Sequence, residues 1–135
     1  MFHEIESGKI RKVGARKTLA DNLGIEILEY GDGFIKGKMP VDERTIQPFG
    51  ILHGGASVAF AETLGSVASF LLVDGDKQIV GLEINANHLR SVSEGWVYGV
   101  VKPIHVGRKT HIWSIEITNE EGKMVCVSRL TCMVI

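Results

Sequence analysis

The sequence predicts an α+β fold, one long central helix wrapped by a curved antiparallel sheet, and three observations predict it. A hairpin signal comes first, an apolar stretch rich in small residues follows from Ala56 to Val73, and four long strand-like runs fill the second half. A helix that apolar is buried most simply by a sheet that curls around it. At 135 residues and 44% hydrophobic composition, the chain can bury one core without disulfides or a metal. A single domain over residues 1–135 is therefore expected, with 1–17 as a peripheral N-terminal segment.

Taken in order, Thr18 to Asn22 reads as a short helical turn that stops at Gly24. Ile25 to Tyr30 and Phe34 to Val41 read as strands hinged at Gly31-Asp32-Gly33, and Asp42 to His53 as an irregular segment. Gly54-Gly55 opens the helix. Ala56, Ala59, Ala61, Gly65, Ser66, Ala68 and Ser69 give it small side chains, which packing against a close sheet explains. Gln78 to Leu89, Trp96 to Val106, Lys109 to Thr118 and Lys123 to Val134 are the later strands, divided by Ser93-Glu94-Gly95, Gly107-Arg108 and the turn at 119–122. In the first of these, Val80, Leu82, Ile84 and Ala86 alternate with Gly81, Glu83, Asn85 and Asn87, so the apolar set is expected on the core. Trp113, Ile115 and Ile117 repeat the pattern.

Charge and cysteines exclude several classes. Fifteen Lys and Arg against sixteen Asp and Glu leave a net charge of -1, so no general attraction to nucleic acid or an anionic membrane is expected. Cys126 and Cys132 lie six residues apart on one predicted strand. That is roughly 20 Å, too far for a disulfide within it, which points to reduced, buried thiols. Met1 to Lys17 lacks the pattern of a signal peptide, and a cytoplasmic location is expected. The histidines at 3, 53, 88, 105 and 111 form no metal-binding motif, so no metal is expected.

The chemistry gathers in the segment from Gln47 to Ser66. Gly54 and Gly55 leave the helix N-terminus without side chains, where unpaired N–H groups and the helix dipole can stabilise a developing oxyanion. Glu62 lies two turns further along an apolar helix, where a carboxylate is costly without a partner or a task. Ser66, four residues on, shares its face and can hydrogen-bond to it. Gly54 and Glu62 are about 12 Å apart along the helix axis, so they reach one carbonyl only if they come from different subunits of an antiparallel two-fold dimer. The alternative from the residues alone is a structural glutamate paired to a basic side chain.

The run Gln-Pro-Phe-Gly-x-x-His-Gly-Gly-x6-Ala-Glu from Gln47 to Glu62, with Val-Gly-Leu-Glu-Ile-Asn-Ala-Asn-His at 80–88 and Ser-Arg-Leu-Thr at 128–131, resembles the hotdog-fold acyl-CoA thioesterases of the 4-hydroxybenzoyl-CoA thioesterase and PaaI-like type. It resembles in particular the bacterial branch that includes 1,4-dihydroxy-2-naphthoyl-CoA hydrolase and the enterobactin proofreading thioesterase. The resemblance covers the chain from about Leu23. It implies Glu62 as nucleophile or general base, the Gly54 N–H as the group polarising the carbonyl, and Gln47, His53 and Ser66 around them. It places CoA contacts at Gly81, at His88, Leu89, Arg90 and Ser91, and along His105, Val106, Gly107, Arg108, Lys109 and Thr110. Arg90, Arg108 and Lys109 would supply positive charge to the nucleotide phosphates.

The resemblance further implies no cofactor, CoA being part of the substrate, and a homodimer that pairs into a tetramer. An acyl or aryl carrier protein would present the same pantetheine arm. Phe60, Val67 and Phe70, with residues of a second subunit near Phe49, are expected to line an aromatic or medium-chain acyl pocket. A non-catalytic acyl-CoA-binding module is the alternative function; a hotdog hydratase would want an Asp/His pair.

Overall fold

The computed structural model describes residues 16–31 and 33–135. The expected N-terminal segment falls almost wholly outside them, as does Asp32 of the hairpin turn. Thr18 caps the short helix α1 (Leu19–Asn22), and Gly24, with φ of 72°, ends it in the left-handed region that glycine favours. The strands β1 (Glu26–Gly31) and β2 (Phe34–Val41) form the leading hairpin. The central helix α2 (Gly54–Leu72) follows, then β3 (Ile79–His88), β4 (Gly95–Val106), β5 (Thr110–Thr118) and β6 (Met124–Val134). Each boundary lies close to its sequence expectation, because turn glycines and apolar periodicity are local signals.

The six strands make one antiparallel sheet in the order β1-β2-β4-β5-β6-β3. This leaves β1 and β3 as its edges, and α2 packs across five of the strands. By length and composition α2 could cross a membrane, with a mean hydropathy of 1.4, but half of that apolar window is buried within the fold.

Glycines set how closely helix and sheet approach. A Cβ built on Gly99 of β4 would lie 2.6 Å from Leu64 Cδ1 and 3.1 Å from Phe60 Cζ, and one on Gly37 of β2 would lie 2.7 Å from Leu64 Cδ2. On the helix side, a Cβ on Gly65 would lie 2.5 Å from Leu130 of β6. Leu64, Phe60 and Leu130 therefore interlock with bare backbone, and Trp113, Ile35, Met39, Ile115 and Ile117 complete a core with no exposure.

One strand departs from the expected pattern. Val80 and Leu82 are 38% and 55% exposed, not on the core. Pairing of β3 with β6 is regular on both sides of a shift between Gly81 and Glu83, a bulge at Leu82. The bulge reverses the phase of the alternation. Ile79 packs on the core and Gly81 faces α2 before it; Ile84 and Ala86 pack on the core after it, and His88 lies against Gly54. A strict period of two cannot contain this, because the extra residue is set by the partner strand.

Overpacking of the contact between β4 and α2 should be costly. Gly99→Ala is expected to destabilise the protein by about 1–3 kcal/mol, read in urea unfolding as a lower midpoint at unchanged m-value. An unchanged midpoint would show that Leu64 and Phe60 can move aside.

Candidate active site

The segment between β2 and α2 is held by its own hydrogen bonds. The Thr45 hydroxyl donates to the Pro40 carbonyl at 2.8 Å and accepts from the Asp42 N–H at 3.1 Å. Arg44 grips the Asp42 carboxylate at 2.6 Å and holds its pKa below the ordinary value. The Thr45 carbonyl accepts from the His53 N–H at 2.8 Å, which ties the loop to the start of α2.

Two predicted site residues gain a defined polarity there. The Gln47 side-chain carbonyl accepts from the Phe49 N–H, which leaves its NH2 group as the free end. His53 is the N-cap, its Nδ1 accepting from the Gly55 N–H at 2.8 Å, so a neutral His53 carries its proton on Nε2. The N–H of Gly54, first residue of the helix, takes no acceptor among the described residues. The His88 ring lies over it, with Nε2 only 3.0 Å from where a Cβ of residue 54 would be.

Glu62 is half-buried, on the face of α2 turned toward β3. Its carboxylate occupies the space in front of Gly81, Oε2 lying 2.1 Å from the position of an added Cβ. No basic side chain pairs with it among the described residues, so the reading as a structural ion pair lacks its partner. The expected bond from Ser66 to Glu62 is not formed. Ser66 instead lies near the Cys132 thiol, whose pKa it lowers, because β6 brings Cys132 opposite Gly81 and so beneath this turn of the helix.

Behind Glu62 lies a buried polar cluster that the sequence reading missed. The Trp113 indole N–H donates to Ser69 Oγ at 2.6 Å, and Ser69 Oγ lies 2.9 Å from His111 Nδ1. Since Ser69 accepts from the indole, its own proton is available to His111 Nδ1, which matches a neutral ring protonated at Nε2. Burial lowers the His111 pKa, with the Gly107 carbonyl acting in the opposite sense and His105 lowering it further. Cys132 adjoins Ser66 and Ser69, and burial raises its thiol pKa, opposed by the two hydroxyls and assisted by Glu62. Ser69 lies seven residues after Glu62, on nearly the same helix face, which was the available signal.

Strand register divides the predicted residues into two groups. Gly81, Cys132, His111 and Val106 share one line across β3, β6, β5 and β4, so the 107–110 turn stands at the Glu62 end. His88 is aligned with Cys126, Ile117 and Gly99 near the opposite end, beside Gly54, and Leu89, Arg90 and Ser91 continue outward from it. Seven residues of strand separate Gly81 from His88, roughly 20 Å. One chain thus carries Glu62, Ser66, Gly81 and residues 105–110 at one end, and Gln47, His53, Gly54 and residues 88–91 at the other. Of the expected acyl-pocket residues, Phe60 and Val67 are core, Phe70 is half-buried and Phe49 is 90% exposed. Among the described residues no three His, Cys, Asp or Glu side chains converge to hold a metal ion.

Residues 49–126, more than half of the chain and including all of α2, match the Thioesterase superfamily. The chain belongs to that superfamily. It is 53% identical over 113 residues to 1,4-dihydroxy-2-naphthoyl-CoA hydrolase of Escherichia coli K12, covering 84% of this chain and 83% of the relative. It is 51% identical over 117 residues to the proofreading thioesterase EntH of Cronobacter turicensis, covering 87% and 85%. A crystal structure of a glutamine-to-alanine variant of thioesterase PA1618 from Pseudomonas aeruginosa superposes with a TM-score of 0.89 at 44% identity, covering 99% of this chain and 97% of that one. Thioesterase HI1161 of Haemophilus influenzae gives 0.88 at 47% identity, covering 100% and 95%. The family resemblance and the hotdog fold read from the sequence are both borne out, and this thioesterase is a hydrolase.

The His111 environment predicts a pH dependence. Unfolded, the imidazole binds a proton with a pKa of about 6.5; folded, burial lowers that value. The unfolded chain therefore binds more protons in the acid range, so this contribution to stability is present above about 6.5 and is lost as pH falls through the folded value. Urea unfolding between pH 7.5 and 5 should show stability falling. His111→Asn, which keeps an acceptor near the Nδ1 position without titrating, should flatten the slope; an unchanged slope would assign it to other groups.

Proposed function

We propose that this thioesterase hydrolyses CoA thioesters of aromatic or medium-chain acids in the cytoplasm, as a homodimer with two composite sites. The observation that carries the reading is the Glu62 carboxylate, unpaired among the described residues, on the same helix as the Gly54 N–H, which finds no acceptor among them, and too far from it to act on one carbonyl. Two chains related by a two-fold axis along their β3 edges would run antiparallel, turning the Glu62 end of each toward the Gly54 end of the other. Both groups of predicted contacts would then face one thioester, and the exposed Val80 and Leu82 would lie in the junction. Pairing of such dimers into a tetramer belongs to the same proposal.

In this site Glu62 either removes a proton from a water that attacks the thioester carbon, or attacks it directly to form a mixed anhydride that water then opens. In both routes the carbon–sulfur bond breaks, the acid is released, and the CoA thiolate takes up a proton. The Gly54 N–H, with the free N–H groups of Gln47 and His53, would receive the negative charge on the carbonyl oxygen. Arg90 at one end and Arg108 and Lys109 at the other are exposed and suited to nucleotide phosphates. CoA is substrate in this scheme, and it asks for no resident metal or cofactor. The names of the Escherichia and Cronobacter relatives favour an aryl group, and a carrier-protein thioester would enter by the same arm.

Thiol release from a panel of aryl- and alkyl-CoA esters tests the reading. Glu62→Gln should lower kcat by about 10²–10⁴-fold while the protein stays folded. Binding of the esters without thiol release by the wild type would favour the acyl-CoA-binding module instead.

A second experiment tests the composite site. Gly54→Pro removes the N–H at a helix position whose backbone tolerates proline and should cost about 10²–10³-fold more than Gly54→Ala, which brings the same Cβ against His88 but keeps the N–H. Mixed dimers of Gly54→Pro and Glu62→Gln chains should regain activity, because one of their two sites is intact. No recovery after confirmed subunit exchange would place both groups in one chain's site.

A further inference from the structure

The Glu62 carboxylate is aimed by a residue on another element. Its Oε2 lies 2.1 Å and its Cδ 3.2 Å from the place where any side chain on residue 81 would begin. The three atoms nearest to that place all belong to Glu62, the third of them, Cγ, at 3.9 Å, so the Glu62 side chain is what Gly81 chiefly faces. Gly37, Gly65 and Gly99 admit apolar neighbours, and the two other glycines that face a charged side chain, Gly24 and Gly95, have the positive φ that asks for glycine in any case; Gly81 faces a carboxylate without that backbone need. The Gly81 backbone does not need glycine for itself, since its φ is not positive. The bulge at Leu82 is what turns Gly81 toward α2, because the strand resumes its core-facing phase at Ile84.

We propose that Gly81 is a positioning residue for hydrolysis: its bare Cα, held against α2 by the bulge, forms the seat that fixes the Glu62 carboxylate. The proposal rests on the reading of Glu62 as the reacting group and deepens it. Ordinary contact with a Cβ begins at 3.4 Å, so an alanine at 81 must drive Oε2 back by at least about 1.3 Å. A displacement of about 1 Å in a reacting group can cost about 10²-fold in rate. The obstacle is the end of a flexible side chain and no backbone atom, so the fold can absorb the change by moving the carboxylate.

The test compares kcat and KM for one hydrolysed acyl-CoA in the wild type and in Gly81→Ala, with a crystal structure of the variant. The proposal expects kcat to fall about 10²-fold, KM to stay within about threefold, and the carboxylate to be displaced. An unchanged kcat, a loss confined to KM, or a carboxylate in its original place overturns it; a pure KM effect would make Gly81 a substrate contact only. Should Gly81→Ala lose its fold, the Glu62→Ala/Gly81→Ala double variant decides. A folded double variant identifies the carboxylate as what stands in the way, and an unfolded one overturns the seat. Glu62→Gln reports separately on the underlying reading: full activity there sinks the role of Glu62 itself, whatever Gly81→Ala does.

Discussion

The close approach of α2 to a single sheet is the constraint on which the rest depends. Gly37 and Gly99 remove side chains from the sheet and Gly65 removes one from the helix, so Leu64, Phe60 and Leu130 can fill the space left by backbone. At that distance water has no place between the layers, and each polar group on the covered face needs a partner within the fold. Ser69, His111 and Trp113 meet that need among themselves, and no buried side-chain polar atom is left unpartnered among the described residues. The site is built into the same interface. Gly81 is a fourth bare position against α2, and what it accommodates is a carboxylate.

Because α2 is one uninterrupted helix of nineteen residues packed across the sheet, it acts as a fixed spacer. The free N–H at its start and the carboxylate two turns later cannot approach each other by any local adjustment. The sheet repeats the separation at larger scale: β3 runs from the Glu62 end to the Gly54 end, and the candidate CoA contacts lie at or beyond each of its ends. The loop before α2 is equally fixed, with Thr45 bonded to Pro40, Asp42 and His53. A site assembled from both ends therefore has to draw on two molecules, and β3, an edge strand with exposed Val80 and Leu82, is where a second chain can add without disturbing the core.

What could be read from the sequence was what depends on neighbouring residues. The elements, their turn glycines and the Gly54–Glu62 separation all follow from local periodicity or from the helix rise alone. The phase of β3 did not, because the bulge at Leu82 is a property of pairing with β6, and the alternation of Val80 with Ile84 looks unbroken in one dimension. The Ser69 cluster was hidden for a similar reason: its partners stand 42 and 44 residues away and meet only through register. Ser66 looked like a partner for Glu62 at four residues' spacing, but no bond joins them in the fold, where Ser66 lies near Cys132 of the last strand. Phe60 and Val67 looked like pocket residues because the helix was seen without the sheet that covers them.

The company Glu62 keeps is an argument about its role. A carboxylate partly removed from water is usually steadied by a cation, and breaking such a pair is costly once it is formed. A lysine or arginine bound there would have to be displaced before the oxygen could reach a water or a thioester carbon. Among the described residues no cation pairs with it: the carboxylate rests on the bare Gly81, near a thiol that burial keeps protonated, and the nearby Ser66 and Ser69 hydroxyls are neutral. Steric seating holds an anion in place without binding its lone pairs, so its position is restricted while its reactivity stays available. That combination has little value in a residue that only supports a fold, and it is what a reacting carboxylate requires.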